Sequence, residues 1–213
     1  MDIHELIKKY PFNPGMISAQ QMPILLENLK TVIDDNIIGD VVELGCNSGS
    51  SSIMYAHLLK EMGSDKKLYL YDSFMGLPGK RQEDISESGK GKEFVPGWMT
   101  TSKSELESNF RKAVLPIPTI YTGWFGEIAD EYYPEHIAFA FFDGDFYSSI
   151  MDSFKKVYHK VSKGGIICIH DYKWESLPGV EKACREFLKD KESIIYAEPF
   201  IGIVRKSYGH RFL

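Results

Sequence analysis

The chain has 213 residues, enough for one domain with a sizeable core and short for two. Its make-up of 43% hydrophobic, 26% charged and 13% aromatic residues is that of an ordinary globular protein. A formal net charge of -5 speaks against the nucleic-acid backbone as main partner, which wants a basic stripe. No stretch approaches the roughly 20 apolar residues that span a bilayer, and residues 1–10 hold no apolar run of a secretory signal, so a cytoplasmic protein without a membrane partner is expected.

Residues 1–38 precede the first strand and contain a helical stretch over 20–34; they read as an N-terminal helical extension to a domain over 39–213. Asp40-Val-Val-Glu-Leu-Gly45 is a short strand running into a loop, Cys46-Asn-Ser-Gly49, with a helix expected over 50–62. Residues 67–72 form a second strand that ends on Asp72. Residues 75–101, with Pro78, Pro96 and five glycines, break the alternation. A loop this long inside a compact domain is a lid, a binding loop or disorder, and a mobile lid over an acceptor is expected.

A helix over 102–113 opens on Ser102 with Glu105 three residues on, and a third strand covers 119–124. Ile137-Ala-Phe-Ala-Phe-Phe142 is apolar throughout, as a central strand covered on both faces should be, and ends at Asp143-Gly-Asp145 before a helix over 148–161. Gly164-Gly-Ile-Ile-Cys-Ile-His170 is another central strand, ending at Asp171, and a helix over 179–189 follows. Residues 193–197 and 202–206, joined by Glu198-Pro-Phe-Ile201, read as a closing hairpin. The fold class is α/β: a doubly wound, Rossmann-like sheet of seven strands, mostly parallel with a C-terminal antiparallel hairpin. Cys46, Cys168 and Cys184 are odd in number, with no CxxC pair, and read as buried thiols or packing residues.

In such sheets ligands bind beyond the carboxyl ends of the strands. The polar residues collect there: Glu43 and Gly45, Asp72, Trp124, Asp143 and Asp145, His170 and Asp171. The Gly45–Gly49 spacing is G-x-x-x-G, which lets backbone approach a ligand without the full pyrophosphate cradle. An acid closing the next strand, Asp72, can accept both hydroxyls of a ribose, so a nucleoside-containing cofactor is expected. Neighbouring parallel strands lie about 4.8 Å apart, so Asp143 on one central strand and His170 and Asp171 on the next can face one cation. Oxygen donors suit magnesium, and an imidazole admits manganese, iron or zinc. The structural alternatives are that Asp143 and Asp145 serve a helix dipole and that His170 is tied to a loop carbonyl. His4, His57, His136, His159 and His210 read as surface or packing residues. Trp98, Trp174 and Tyr172 read equally as walls of an acceptor pocket and as packed aromatics.

Glu43-x-Gly45-x-x-x-Gly49 followed by Asp72 resembles motifs I and II of class I methyltransferases. Tyr71-Asp-Ser-Phe-Met-Gly-Leu-Pro78, Gly123-Trp-Phe125, Asp143-Gly-Asp-Phe-Tyr-Ser-Ser149 and Gly164-Gly-Ile-Ile-Cys-Ile-His-Asp-Tyr172 extend the likeness to the macrocin O-methyltransferase family, over about 31–172. That family methylates sugar hydroxyls of antibiotics. The resemblance implies S-adenosyl-L-methionine as cofactor, with Glu43, Gly45 and Gly49 along its methionine part, Asp72 on the ribose, and Ser73 and Trp124 near the nucleoside. It also implies a divalent metal, Mg2+ or Mn2+, on Asp143, His170 and Asp171, where His170 departs from the family's two consecutive acids. Asp143 is then the candidate base, with His170 as the alternative.

The expected reaction is metal-assisted methyl transfer to a hydroxyl of a sugar or glycosylated small molecule, with no nucleic-acid partner and a homo-oligomer left open. A catechol-type acceptor is the nearest alternative. A nucleotide-dependent oxidoreductase is disfavoured by the missing third glycine, and a non-catalytic cofactor-binding protein by Asp143 and Asp171.

Overall fold

The computed structural model describes residues 1–12 and 16–207; His210 and the end of the expected domain lie outside them. Seven strands are β1 (Asp40–Leu44), β2 (Leu68–Asp72), β3 (Thr119–Thr122), β4 (Ile137–Phe142), β5 (Val161–Ile169), β6 (Ile195–Ala197) and β7 (Ile201–Arg205). They form one sheet in the order β3-β2-β1-β4-β5-β7-β6. β3 through β5 are parallel, and β7 pairs antiparallel with both β5 and β6. The chain winds outward from β1 in one direction and from β4 in the other, so the switch in strand order falls between them. That is where a crevice opens in a doubly wound sheet.

The core explains why the sequence folds this way. All six residues of β4 are buried. Phe139 and Phe141 pack into one face with α2 (Gln21–Asp34), α3 (Ser50–Glu61) and α4 (Lys103–Lys112). Ala140 and Phe142 pack into the other with α5 (Tyr147–Val157) and α6 (Pro178–Leu188). Each fully buried phenylalanine contributes about 1.5–3 kcal/mol, so a strand polar on either face would not hold this position.

Residues 1–38 hold two helices where one stretch was expected. The first, α1 (Ile3–Lys9), opens on Asp2, which accepts from His4 N at 2.7 Å. Ile3, Leu6, Met22, Leu25, Leu26 and Leu29 are all buried in the same core as the sheet.

Three boundaries move for local reasons. The helix expected over 148–161 ends at Val157, because a tight 3-10 turn, Tyr158–Lys160, delivers the chain into β5 at Val161. The glycine pair therefore lies within the strand, where the register with β4 shifts, and a Cβ on Gly165 would stand 2.8 Å from Ser162 O. β3 stops at Thr122 because Gly123 turns at φ +150°. Ser102 does cap α4 through Glu105 N at 3.1 Å, but the Glu105 carboxylate accepts from Thr101 Oγ1 instead of closing a reciprocal box. Cys46, Cys168 and Cys184 are buried free thiols. Among the described residues no helix is long and apolar enough to cross a membrane.

Candidate active site

Two cavities open beyond the carboxyl ends of β1, β2, β4 and β5. Gly45, Asp72, Ser73, Trp124 and Asp143 line the first, together with Asn47. Gly45 has φ +96°, and a Cβ there would stand 1.9 Å from Asp143 O, so the ends of β1 and β4 touch through backbone alone and only glycine fits. Asp72 is fixed by two backbone donors: Asn47 N at 2.8 Å and Phe74 N at 2.7 Å. Burial pushes its carboxyl above the usual carboxylate range, and the backbone N–H groups of Phe74, Asn47 and Cys46 pull it back. Each oxygen keeps a lone pair for a ligand hydroxyl.

The second cavity has an aromatic wall, Phe94, Trp98, Trp174 and Phe200, facing Asp143, Asp145, His170 and Asp171. Phe94 packs edge-on against both Trp98 and Trp174, with ring centroids 5.0 and 5.5 Å apart. The His170 Nδ1 lies 2.8 Å from Asp143 Oδ1 and 3.3 Å from Asp171 Oδ2. One candidate ligand atom from each of the three residues lies within 4.8 Å of the others. Burial alone would lower the imidazole pKa, but the two carboxylates prevail and hold it well above the usual histidine value. Asp145 lines both cavities, and its carboxyl makes no hydrogen bond among the described residues. Burial, with Asp143 and Asp171 nearby, drives its pKa well up.

A family model described as macrocin-O-methyltransferase matches residues 8–203. The chain belongs to this family. It is 28% identical over 166 residues to the demethyldecarbamoylnovobiocin O-methyltransferase of Streptomyces niveus, covering 74% of this chain and 62% of that protein's length. It is 26% identical over 185 residues to the mycinamicin III 3''-O-methyltransferase of Micromonospora griseorubida, covering 84% and 71%. Among solved structures, the O-methyltransferase NovP superposes with a TM-score of 0.78 at 24% identity, over 91% of this chain and 82% of that one. An O-methyltransferase from Bacillus cereus in complex with SAH superposes with a TM-score of 0.56 at 15% identity, over 96% and 90%.

Within this macrocin-O-methyltransferase fold the expected site residues divide. Gly45, Asp72, Ser73 and Trp124 meet in the first cavity, and Asp143, His170 and Asp171 form one cluster. Glu43 and Gly49 stand behind the cavity wall instead of in it. Glu43 is fully buried and accepts from the Ser51 and Ser52 hydroxyls at the start of α3. A Cβ on Gly49 would meet Leu106 Cδ1 at 2.5 Å. Both shape the loop from below. Trp98 and Trp174 do wall the second cavity, whereas Tyr172 is buried against Gly202.

Sequence reasoning did not single out Asn47, although its place inside the glycine loop was a signal; its Nδ2 also donates to Met99 O at 2.8 Å. Asp145 was placed among the polar strand ends, with service to a helix dipole as its structural alternative, and was given no role of its own in the site. Met16, on the rim of both cavities, had no periodicity or motif to mark it.

Proposed function

We propose that the protein is an S-adenosylmethionine-dependent O-methyltransferase that methylates a hydroxyl of a sugar or glycosylated small molecule with the help of a divalent cation. The observation that carries this reading is the shared wall: a cavity with a loop and an acid suited to a nucleoside meets an aromatic-walled cavity at Asp143 and Asp145. Asp72 would take the ribose hydroxyls, with Ser73 and Trp124 beside the nucleoside and the backbone at Gly45 along the methionine part. Asp143, His170 and Asp171 would hold the cation. When bound, S-adenosylmethionine supplies the electrophilic methyl group, and the cation supplies Lewis acidity toward the acceptor hydroxyl.

The chain's own residues do the rest. The rings of Phe94, Trp98 and Trp174 offer flat apolar faces that orient a pyranose and keep water out. Asp145 faces both cavities with a carboxyl that has no hydrogen-bond partner among the described residues, which makes it a second candidate for the proton acceptor beside Asp143, whose oxygen is engaged with His170. Residues 75–101 wall both cavities and serve as the lid over the acceptor. Labelled S-adenosylmethionine incubated with a panel of sugars, nucleotide-sugars, glycosides and catechols tests the reading. Transfer to a glycoside hydroxyl supports it, and transfer to catechols alone overturns the acceptor class.

A further inference from the structure

We propose that the cluster of Asp143, His170 and Asp171 selects a transition-series divalent cation, of the manganese, iron, cobalt or zinc class, over magnesium, with the His170 imidazole as a direct ligand. The inference rests on the metal-assisted reading above and adds which cation is held.

The donor set carries it. Magnesium dehydrates reluctantly and prefers oxygen, whereas an imidazole beside two carboxylates suits borderline transition metals. The spacing agrees. Ligands bonded at roughly 2.0–2.2 Å and at right angles stand about 3.0 Å from each other. The His170 Nδ1 already lies 2.8 Å from one carboxylate oxygen and 3.3 Å from the other.

The backbone brings two consecutive side chains to this point. His170 N donates to Phe142 O and so continues the β5 register beside β4. In an extended strand residues 170 and 171 would point to opposite faces. Asp171 instead has φ +56°, a left-handed turn that sets its carboxylate beside the imidazole.

The ring is held for this through one nitrogen. His170 is 8% exposed and lines the second cavity. Among the described residues the ring's hydrogen-bonding contacts are the two carboxylates, both through Nδ1, the nitrogen that would face the cation.

The full chain, stripped of metal by a chelator and dialysed, is titrated with Mn2+ and followed by electron paramagnetic resonance, with Mg2+ as competitor. One Mn2+ should bind, Mg2+ should compete at least about tenfold more weakly, and bound Mn2+ should show hyperfine coupling to a nitrogen nucleus. His170→Asp should abolish that coupling and narrow the Mn2+/Mg2+ ratio by about tenfold. The coupling is read on the unaltered protein, so a misfolded variant does not spoil the test. Bound Mn2+ without nitrogen coupling, or Mg2+ competing as an equal, overturns this inference and leaves metal assistance standing. No binding of either cation, while calorimetry still shows S-adenosylmethionine bound, overturns metal assistance as well.

Discussion

The two cavities that meet at Asp143 and Asp145 are built from different kinds of chain. The first cavity, the proposed cofactor side, stands largely on strand ends held by the sheet itself: Gly45 N donates to Tyr71 O and Asp143 N to Leu44 O, both at 2.8 Å. The second cavity, the proposed acceptor side, draws Phe94 and Trp98 from the 75–101 segment, Trp174 from the turn after β5 and Phe200 from the hairpin, and shares Met16 and Met99 with the first. A strand end cannot move without breaking the ladder, whereas loops tolerate substitution and insertion. One platform can therefore serve many acceptors while the methyl donor stays the same.

The comparison breaks most visibly at the shared wall. Asp143→Asn should cut turnover by about 10²- to 10⁴-fold, and a chelator should do the same to the unaltered enzyme. S-adenosylmethionine affinity, measured by calorimetry, should hardly change. A parallel loss of cofactor binding would mean that the two sides are not separable at this residue.

Beneath the cofactor loop the expected effect is on stability. Burial pushes the Glu43 carboxyl up to about 8, against the opposing hydrogen bonds from Ser51 and Ser52. In the unfolded chain a glutamate titrates near about 4.3. The folded state therefore holds the proton more tightly, so the stability is fully present below about 4.3 and is lost as pH rises toward 8. Glu43→Gln removes that slope. The melting temperature of the variant should gain on the unaltered protein steadily from pH 5 to 8; parallel curves would show that Glu43 is already ionised in the fold.

Asp72→Ala should weaken S-adenosylmethionine binding by about 1–3 kcal/mol, since ribose hydroxyls lose their acceptor. The Michaelis constant for the acceptor should stay put. A variant that changes acceptor affinity as strongly as cofactor affinity would show that the loop and the acceptor wall move together, through the Asn47–Met99 contact.

What could be read in the sequence follows the same division. Strand ends are marked twice, by an apolar run and by the polar residue that stops it, so Gly45, Asp72, Asp143, His170 and Asp171 were legible. The acceptor wall lacks such marks. Met16, Phe94 and Phe200 come from segments without periodicity, and only tertiary packing brings them to one place. Glu43 was legible as an acid at a strand end but not as a buried one, because its partners Ser51 and Ser52 lie on the next helix and read as helix-start residues. β5 was misjudged at its start because a glycine pair reads as a boundary, whereas here it sits inside a strand.

The smallest expected effect concerns how the proposed lid, residues 75–101, is held. Asp84, in the middle of 75–101, is 1% exposed and accepts from Tyr147 N at 2.7 Å and from Arg81 N at 2.9 Å. Phe146 gives α5 no side-chain cap, so Asp84 performs that task from a distant part of the chain. It also packs against the start of α6, where a Cβ on Gly179 would stand 1.9 Å from Asp84 Oδ1. The acid thus sits at the positive ends of two helices and pins the segment to the rigid half of the molecule. Beyond it, residues 87–90 are exposed, before Phe94 is buried again at the acceptor wall. Asp84→Ala should cost about 0.5–2 kcal/mol of stability, the usual price of a lost cap. If that loss acts on local opening, trypsin cleavage at Lys90 and Lys92 should speed up by about two- to thirtyfold, and the acceptor Michaelis constant should rise with little change in cofactor affinity. Cofactor plus acceptor should slow cleavage at both lysines in the unaltered protein. Equal cleavage with and without ligands would make 75–101 a fixed wall, and the acceptor side would then be as rigid as the cofactor side.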